Sequence, residues 1–512
     1  METRFGPLDW LIIIVYTAMM VAIGAFFARK HEDADSYFLG NRQMPVWAVA
    51  LSVMATSLSA ATFIGVPQIA YDGDLTYLIT NIGGMLSAFI VAFVIFPPLY
   101  RAGTITIYGY LGQRFGEPSM IAASAMFLLG RLLASGARLF IAAIAVSLIV
   151  YGNIQTSSLL WAILFFGIVG TLYTCIGGIR AVIWTDTIQI FVVVFAAAFS
   201  IYLLLDLIPL SLGEIIAALR DAGGKDKLQV VDLRFKPELN YTLWTGIFAA
   251  TIVSTGAYGA DHDMVQRMLA AKSPLRGGLA LIASTALSIP VVLMFMVIGL
   301  LLYVYYGRPD LMGVMAPLDV IQDTRKIYPH FLLSHLPTGL KGLAMAGLFA
   351  AAMSSFDSAI NAMASTAIAD IYTPLRKLGN KSELSSWAQR GSVIFMGAML
   401  TLFAMLAVFL QGKNDDNAVV NFALGVMAFA HAPLLGVFCA ALFTKRGNNA
   451  SVLFALAAGS LTVLLLQPYV LQAWFDFNPG WPGYIVIAAP LSFLVCVAPP
   501  GPAATTRAEV RP

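Results

Sequence analysis

Thirteen mostly apolar stretches, each long enough to cross a bilayer as a helix, recur along this chain with short polar breaks between them. A crossing needs about 20 such residues. The runs cover residues 8–28, 45–71, 76–100, 120–150, 157–177, 182–206, 242–264, 277–306, 337–369, 389–411, 417–443, 450–470 and 483–499. Charged residues make up 11% of the 512 and hydrophobic ones 59%, against about 25% charged in soluble domains. A chain so poor in charge cannot clothe a water-facing surface, and its mean hydropathy of +0.82 makes lipid its solvent. In lipid every backbone polar group must be satisfied within the chain. No alternation of barrel strands is present, so the runs are expected to be helices. The expected fold class is an all-α polytopic membrane protein with about 13 transmembrane helices.

Charge placement sets the expected orientation. The pair Arg29–Lys30 follows the first run, which favours an uncleaved span with its N-terminus outside over a signal peptide. The loops then assigned to the cytoplasm hold Arg29, Lys30, Arg42, Arg101, Arg114, Arg180, Arg267, Lys272, Arg276, Arg376, Lys377, Lys381, Arg390, Lys445, Arg446, Arg507 and Arg511. The short outer turns carry Asp72 and Asp74, Asp476, and Lys413 beside Asp415 and Asp416. Two longer outer segments, 207–241 and 307–336, mix both signs and read as solvated loops with short surface helices. The Pro- and Ala-rich tail 500–512 reads as disordered and cytoplasmic. The net charge of +3 is too small to suggest a nucleic-acid partner. No Walker loop and no nucleophile–base–orienter set appears, so neither ATP-driven work nor an enzyme is expected. Cys175, Cys439 and Cys496 lie inside apolar runs without metal spacing and read as packing residues. The expected partners are the lipid bilayer, a small-molecule solute and an ion, with no obligatory protein partner evident.

Two runs look built to break. The second contains LSVMATSLSAATFIGVP, Leu51 to Pro67, crowded with Ser, Thr, Ala and Gly. The seventh contains TIVSTGAYGADH, Thr251 to His262, interrupted at Gly256 and Gly259. Such residues lower the cost of unwinding, and the freed carbonyls then need a partner such as a cation. Five runs separate the two, so they cross in opposite directions, as equivalent points of two inverted halves would. Close helix packing is the simpler use of small residues, but it does not account for that spacing.

The ninth run contains GLFAAAMSSFDSAINAMASTAIADIY, Gly347 to Tyr372. Ala351, Ser354 and Ser355 share one helical face, and Ser354, Asp357 and Ser358 repeat the spacing one turn on. Two hydroxyls and a carbonyl here, opposed to freed carbonyls of Ala55 and Leu58, would make the all-oxygen cage that a small hard cation wants. Asp357 and Asp186 are acids at membrane depth, where carboxylates usually mark ion pathways. Asp186 has the alternative of pairing with Arg180, and the serines that of bonding back to their own helix. This chemistry does not separate sodium from proton.

Together these segments resemble the sodium:solute symporter family. The resemblance is carried by SYFLGNR (Ser36 to Arg42), SLSAATFIGVP (Ser57 to Pro67), GGIRAVIWTDTIQ (Gly177 to Gln189), DMVQRMLAAKS (Asp263 to Ser273), AAMSSFDSAIN (Ala351 to Asn361) and PLLGVFCAALFTKR (Pro433 to Arg446). It implies the leucine-transporter fold: two inverted five-helix repeats with peripheral helices, working by alternating access. The domain plan it implies is a peripheral first helix and loop at 1–44, a first repeat at 45–206, an outer loop at 207–241, a second repeat at 242–443, two peripheral helices at 444–499 and the tail 500–512. It implies Na+ as the coupling ion, held by the carbonyls of Ala55, Leu58 and Ala351 and the hydroxyls of Ser354 and Ser355. A second cation site of some members falls on Asp186, Ser354 and Ser358, but its third serine is Asp357 here, which leaves sodium, a proton or a paired arginine open.

By the same resemblance the solute would meet Ser57, Ser59 and Thr62, then Tyr77 and Asn81, then Tyr258, with Phe429 and His431 placed loosely on the eleventh run. Arg131 and Arg138 lie seven apart on the fourth run and therefore on one face. An arginine fork suits a carboxylate, and bacterial sialic acid transporters use an arginine on this span, so Arg131 is the expected carboxylate ligand and Arg138 the structural one. The alternatives for Arg131 are to neutralise Asp357 or to bind a helix end. The Gln and Glu of the sodium–glucose branch are Thr62 and Asn81 here, which disfavours a glucose-type sugar. The expected protein is a multi-pass, sodium-coupled symporter of the bacterial inner membrane that imports a carboxylated solute such as a sialic acid or a monocarboxylate. A proton-coupled transporter and a sodium–sugar symporter on the same fold are the alternatives, with a non-transporting solute sensor behind them.

Overall fold

A computed structural model of the chain describes residues 5–27, 34–153, 155–235, 239, 241–313, 317–377, 386–411, 418–467, 470 and 480–499. Helices fall on all thirteen runs. The first, α1, is Pro7–Phe27. The second run splits into α2, Val46–Ser57, and α3, Ala60–Asp72, bent by 61°. Then come α4, Thr76–Arg101, and α5, Glu117–Tyr151. The fifth and sixth runs form one helical stretch, α6, Thr156–Leu207, kinked at Gly178. The seventh splits again. A π-helical turn leads into α7, Ala250–Gly259, and α8, His262–Leu269, follows after a two-residue gap. The helices α9 (Pro274–Gly307), α10 (Leu340–Thr366), α11 (Ser386–Gln411), α12 (Ala418–Phe443), α13 (Asn449–Leu465) and α14 (Gly480–Val497) complete the bundle. Among the described residues, seven helices are long and apolar enough to cross a membrane by themselves, or eight if the bent pair α2–α3 counts as one.

Burial separates hub from periphery. The apolar window of α10 is 94% buried, that of α1 only 22%. Lipid offers helices no hydrophobic drive to associate, so close packing through small residues must hold them. Ala350, Ala351, Ala352, Ala359, Ala362 and Ala364 give α10 that surface, and α6, α5, α1, α2 and α3 pack on it. A carboxylate from α1 fixes its start: Asp9 Oδ1 accepts the backbone N–H of Gly339 and of Gly342, each at 2.7 Å. A negative charge is stabilised at a helix N-terminus.

The α6 kink needs glycine. Gly178 has φ +58° and ψ −159°, a region that only glycine visits without large strain. A Cβ there would stand 2.6 Å from the Tyr37 carbonyl oxygen. The kink turns the chain so that Asp186 enters the bundle fully buried.

The longer loops carry the expected short helices at Leu212–Arg220 and Ile327–His335. The tail 500–512 and the charges Arg29, Lys30, Lys381, Lys413, Asp415, Asp416, Asp476, Arg507 and Arg511 lie outside the described residues. One member of the cytoplasmic basic set needs correction: Arg267 is fully buried on α8.

Candidate cation and solute site

The first break sits at Leu58 and Ser59, between α2 and α3. Ser59 N–H is given to Thr62 Oγ1 at 3.3 Å, and the two residues form a reciprocal capping box that starts α3. The carbonyl of Ala55 turns instead to the hub: Ser354 Oγ donates to it at 3.0 Å and also lies 3.2 Å from the Ala351 carbonyl. Thus the unwound stretch and the serine-bearing turn of α10 meet. Beside them is a chamber of about 10 Å³ lined by Ser59, Ala60, Ser135, Arg138, Ala351 and Ser355, among others. That is about the space of one water. Ser355 Oγ and Ser135 Oγ are buried there without a hydrogen-bond partner among the described residues. An orphaned buried hydroxyl costs about 1–3 kcal/mol, and an ion in the chamber would satisfy it. No group of three His, Cys, Asp or Glu placed to hold a metal ion occurs among the described residues; the hydroxyls and carbonyls of the chamber suit a hard cation rather than a transition metal.

On the other side of Leu58 opens a second cavity of about 240 Å³. Ser57, Thr62, Tyr77, Asn81 and Tyr258 all line it, so five of the anticipated solute positions face one space. Thr80, Tyr241, Thr245, Ser254, Thr285 and Ser288 line it as well, and sequence reasoning had missed them. The signal was present in the hydroxyls of the seventh and eighth runs, but only packing shows which face they present.

The remaining candidates sit elsewhere. The second break comes after Gly259, at Ala260 and Asp261, and the helix runs unbroken through Gly256. Asp261 caps α8 by accepting Asp263 N–H at 3.0 Å. His431 Nε2 lies 2.8 Å from Asp261 Oδ2, so this histidine backs the break rather than lining the cavity. Phe429 is half-buried outside the cavity, its carbonyl accepting Ser460 Oγ at 3.4 Å. Arg131 is 5% exposed and committed to Asp261 at 2.8 Å and to Asp263. It lies away from both chambers, and the arginine that borders the small one is Arg138.

The acids follow the same pattern. Asp186 pairs with Arg267 at 3.4 Å and accepts Ser52 Oγ at 2.5 Å, while Arg180 donates to the Gly40 carbonyl at 3.1 Å. Arg267 also meets Asp263 at 3.0 Å and donates to Ser52 Oγ at 3.0 Å and to Ser358 Oγ. Asp357 accepts the Tyr173 hydroxyl at 2.6 Å and the Ser358 hydroxyl at 3.3 Å. A cation binding between Asp186 and Ser358 would therefore have to displace a tethered guanidinium. Sequence reasoning missed Arg267, Asp261 and Asp263 as members of this buried network.

A helical bundle with two broken helices, the first of them bordering a polar cavity, is the architecture of a secondary transporter of the leucine-transporter fold. A nucleobase-cation symporter (TM-score 0.52, 14% identity, covering 90% of this chain and 92% of that one) and an L-phenylalanine-bound structure of MhsT (0.50, 14%, 88% and 99%) share that fold. The chain belongs to the sodium:solute symporter family, which matches it over residues 37–459. It is thus a multi-pass plasma-membrane transporter. Among its relatives, the sodium/sialic acid symporter NanT of Aliivibrio fischeri is 28% identical over 90% of this chain and 88% of its own length. The sodium-coupled monocarboxylate transporter 2 of Mus musculus is 29% identical over 96% and 76%. A solved sodium-coupled sialic acid symporter, substrate-bound and outward-open, superposes with a TM-score of 0.81 at 25% identity, covering 97% of this chain and 98% of that one.

Proposed function

We propose that this protein is a sodium-driven symporter that imports a small carboxylated solute across the plasma membrane by alternating access, with its N-terminus outside. The observation that carries the reading is the junction of Ser354 with the Ala55 carbonyl beside the orphaned Ser355 hydroxyl. In this reading sodium, as cargo, sits among the carbonyls of Ala55, Leu58 and Ala351 and the hydroxyls of Ser354 and Ser355. Those groups belong to both sides of the break, so filling the cage draws the α2–α3 junction onto α10 and shapes the adjoining solute cavity. The two ligands then bind with positive coupling.

The solute reading combines that cavity with Arg138. Ser57, Thr62, Thr80, Asn81, Thr245 and Ser288 supply hydroxyl and amide partners, and Tyr77 and Tyr258 supply aromatic walls. A hydroxylated acid suits such a lining. Arg138 borders the small chamber where Ser59 and Ala60 open α3 and does not line the cavity; in this reading a carboxylate at the junction between the two spaces neutralises the guanidinium beside the sodium. The carboxylated substrates of the relatives agree with this choice. Arg131 holds Asp261 and Asp263 in place and is the structural arginine of the pair.

A thermal-shift screen of the purified protein tests the reading, with and without sodium, against sialic acids, monocarboxylates, sugars and amino acids. Stabilisation by a carboxylated solute only in the presence of sodium is the expected result. Stabilisation by a neutral sugar alone, or equal shifts in sodium and choline, would refute it.

A further inference from the structure

The end of α3 remote from the break is fastened by two loops, and neither fastening touches the cavity. Lys227, in the loop after Leu212–Arg220, is 6% exposed. Its ammonium donates to the carbonyls of Tyr71 at 2.6 Å, Gly73 at 2.8 Å and Ala70 at 3.5 Å. These lie at the C-terminal end of α3, where carbonyls lose their intrahelical partners. Three ammonium donors meet three such oxygens, and a cation is favoured at the negative end of a helix. The same Nζ stands 4.1 Å from the centre of the Tyr303 ring on α9. From the second loop, Thr324 donates to Asp72 at 2.8 Å while Gln68 donates to Thr324 at 3.1 Å.

This seam has consequences at its other end. The α3 and α9 backbones touch at mid-length: a Cβ on Gly299 would stand 2.1 Å from the Pro67 carbonyl oxygen. Lys227 closes the same seam at its outer end. At the inner end, α3 begins with the Ser59–Thr62 box, and α9 carries Thr285, Ser288 and Val292 into the cavity wall. A change in the tilt of α3 against α9 therefore moves the first break and one wall of the cavity together.

We propose that Lys227 is a positioning residue for transport: by capping α3 and docking on Tyr303 it holds the first break in the shape that binds sodium. The role rests on the symport reading above. It assigns to a loop lysine, far along the chain from every cage residue, control over cation affinity. Lys225 two positions away is exposed and, among the described residues, makes no such contacts with α3; apart from its charge repulsion on Lys227 it provides an internal control.

The test uses purified full-length protein and the variants Lys227→Met, Lys227→Arg and Lys225→Met. Hydrogen–deuterium exchange is followed at the outer end of α3, together with the sodium concentration that gives half of the maximal thermal stabilisation. In Lys227→Met the last turn of α3 should exchange faster, and the half-stabilising sodium concentration should rise roughly three- to thirtyfold. Lys227→Arg keeps the charge and donors but not the compact ammonium, so its loss should be clearly smaller than that of Lys227→Met, and Lys225→Met should not raise the half-stabilising sodium concentration. Unchanged exchange in Lys227→Met overturns the proposal, as does faster exchange with unchanged sodium dependence. Equal losses in the Met and Arg variants also overturn it. Should Lys227→Met not fold, Lys227→Gln is read in the same way. A wild type indifferent to sodium overturns the symport reading and this role with it, whereas the same sodium effect in wild type and variant overturns this role alone.

Discussion

At the scale of single residues, small polar groups gain weight from their place. Ser355 is a common residue on an alanine-rich helix, but its hydroxyl is buried without a partner among the described residues, beside the Ala55–Ser354 contact. Replacing it with alanine removes one proposed ligand oxygen, and interactions with a charged group are worth about 1.5–3 kcal/mol. Ser355→Ala should raise half-activating sodium in uptake assays tenfold or more, by about that energy. The two arginines of α5 should separate cleanly. Arg138→Ala should raise the solute KM by about tenfold to a hundredfold with the protein still folded. Arg131→Ala removes the guanidinium that bridges Asp261 and Asp263, leaving Asp263 to Arg267 and Asp261 to His431; a loss of up to about 3–5 kcal/mol should show as lost folded yield in size-exclusion chromatography. Lys227 adds a pH signature. Burial pushes its ammonium down to about 8 against the opposing pull of Asp72 and Asp74. That lies below the ~10.4 of a free lysine. The charged form therefore costs stability below pH 8, and the cost fades as the pH climbs towards 10.4. Between pH 7 and 9 this group should not lower the melting temperature, while half-activating sodium rises as the cap discharges. The Lys227→Arg variant should hold its sodium affinity across that window. A wild type whose sodium affinity stays flat from pH 7 to 9 would contradict the assignment.

At the scale of elements, the breaks and the kink do different work. The α2–α3 break turns the Ala55 carbonyl to Ser354, whereas the α7–α8 break places Asp261 against Arg131 and His431. The first was legible because Ser, Thr and Gly crowd one short segment. The second was legible in kind but displaced, because glycines mark where a helix can end, not where it does. Gly256 remains helical since α7 packs there beside His431 and Leu435 with room to spare. The α6 kink was read only as a gap between two apolar runs, yet its geometry is demanding. Gly178→Ala forces a positive φ on a residue with a Cβ and drives that Cβ against the Tyr37 carbonyl. A cost of about 1–3 kcal/mol from the backbone alone is expected. Thermal unfolding in detergent should show a lower melting temperature, and one equal to wild type would mean that the kink is not needed.

At the scale of the whole molecule, the broken helices, the hub helix and the buried ion network form one machine for moving charge. Each net positive charge carried down 100 mV supplies about 2.3 kcal/mol; one sodium moving with a monocarboxylate carries none, so at that ratio the sodium gradient alone drives accumulation, and the potential contributes only with a second sodium. In proteoliposomes, an inward sodium gradient should drive uptake, choline replacement should abolish it, and a protonophore that leaves the potential clamped should not. The helical runs, the family and the first helix break could be read from the chain alone. Each depends on local composition: apolar length, small and hydroxyl residues, and fixed i, i+3, i+4 spacing. Which charge meets which was decided only by tertiary structure. Arg267 reads as a loop residue until α8 turns back from Asp261 and buries it between Asp186 and Asp263. Arg131 and Arg138 share a face, but two turns of helix, about 10 Å, separate them, and the elements packed at each height give one to the aspartates and the other to the break. Helix rotation and depth are set by neighbours distant in sequence, and no local pattern encodes them.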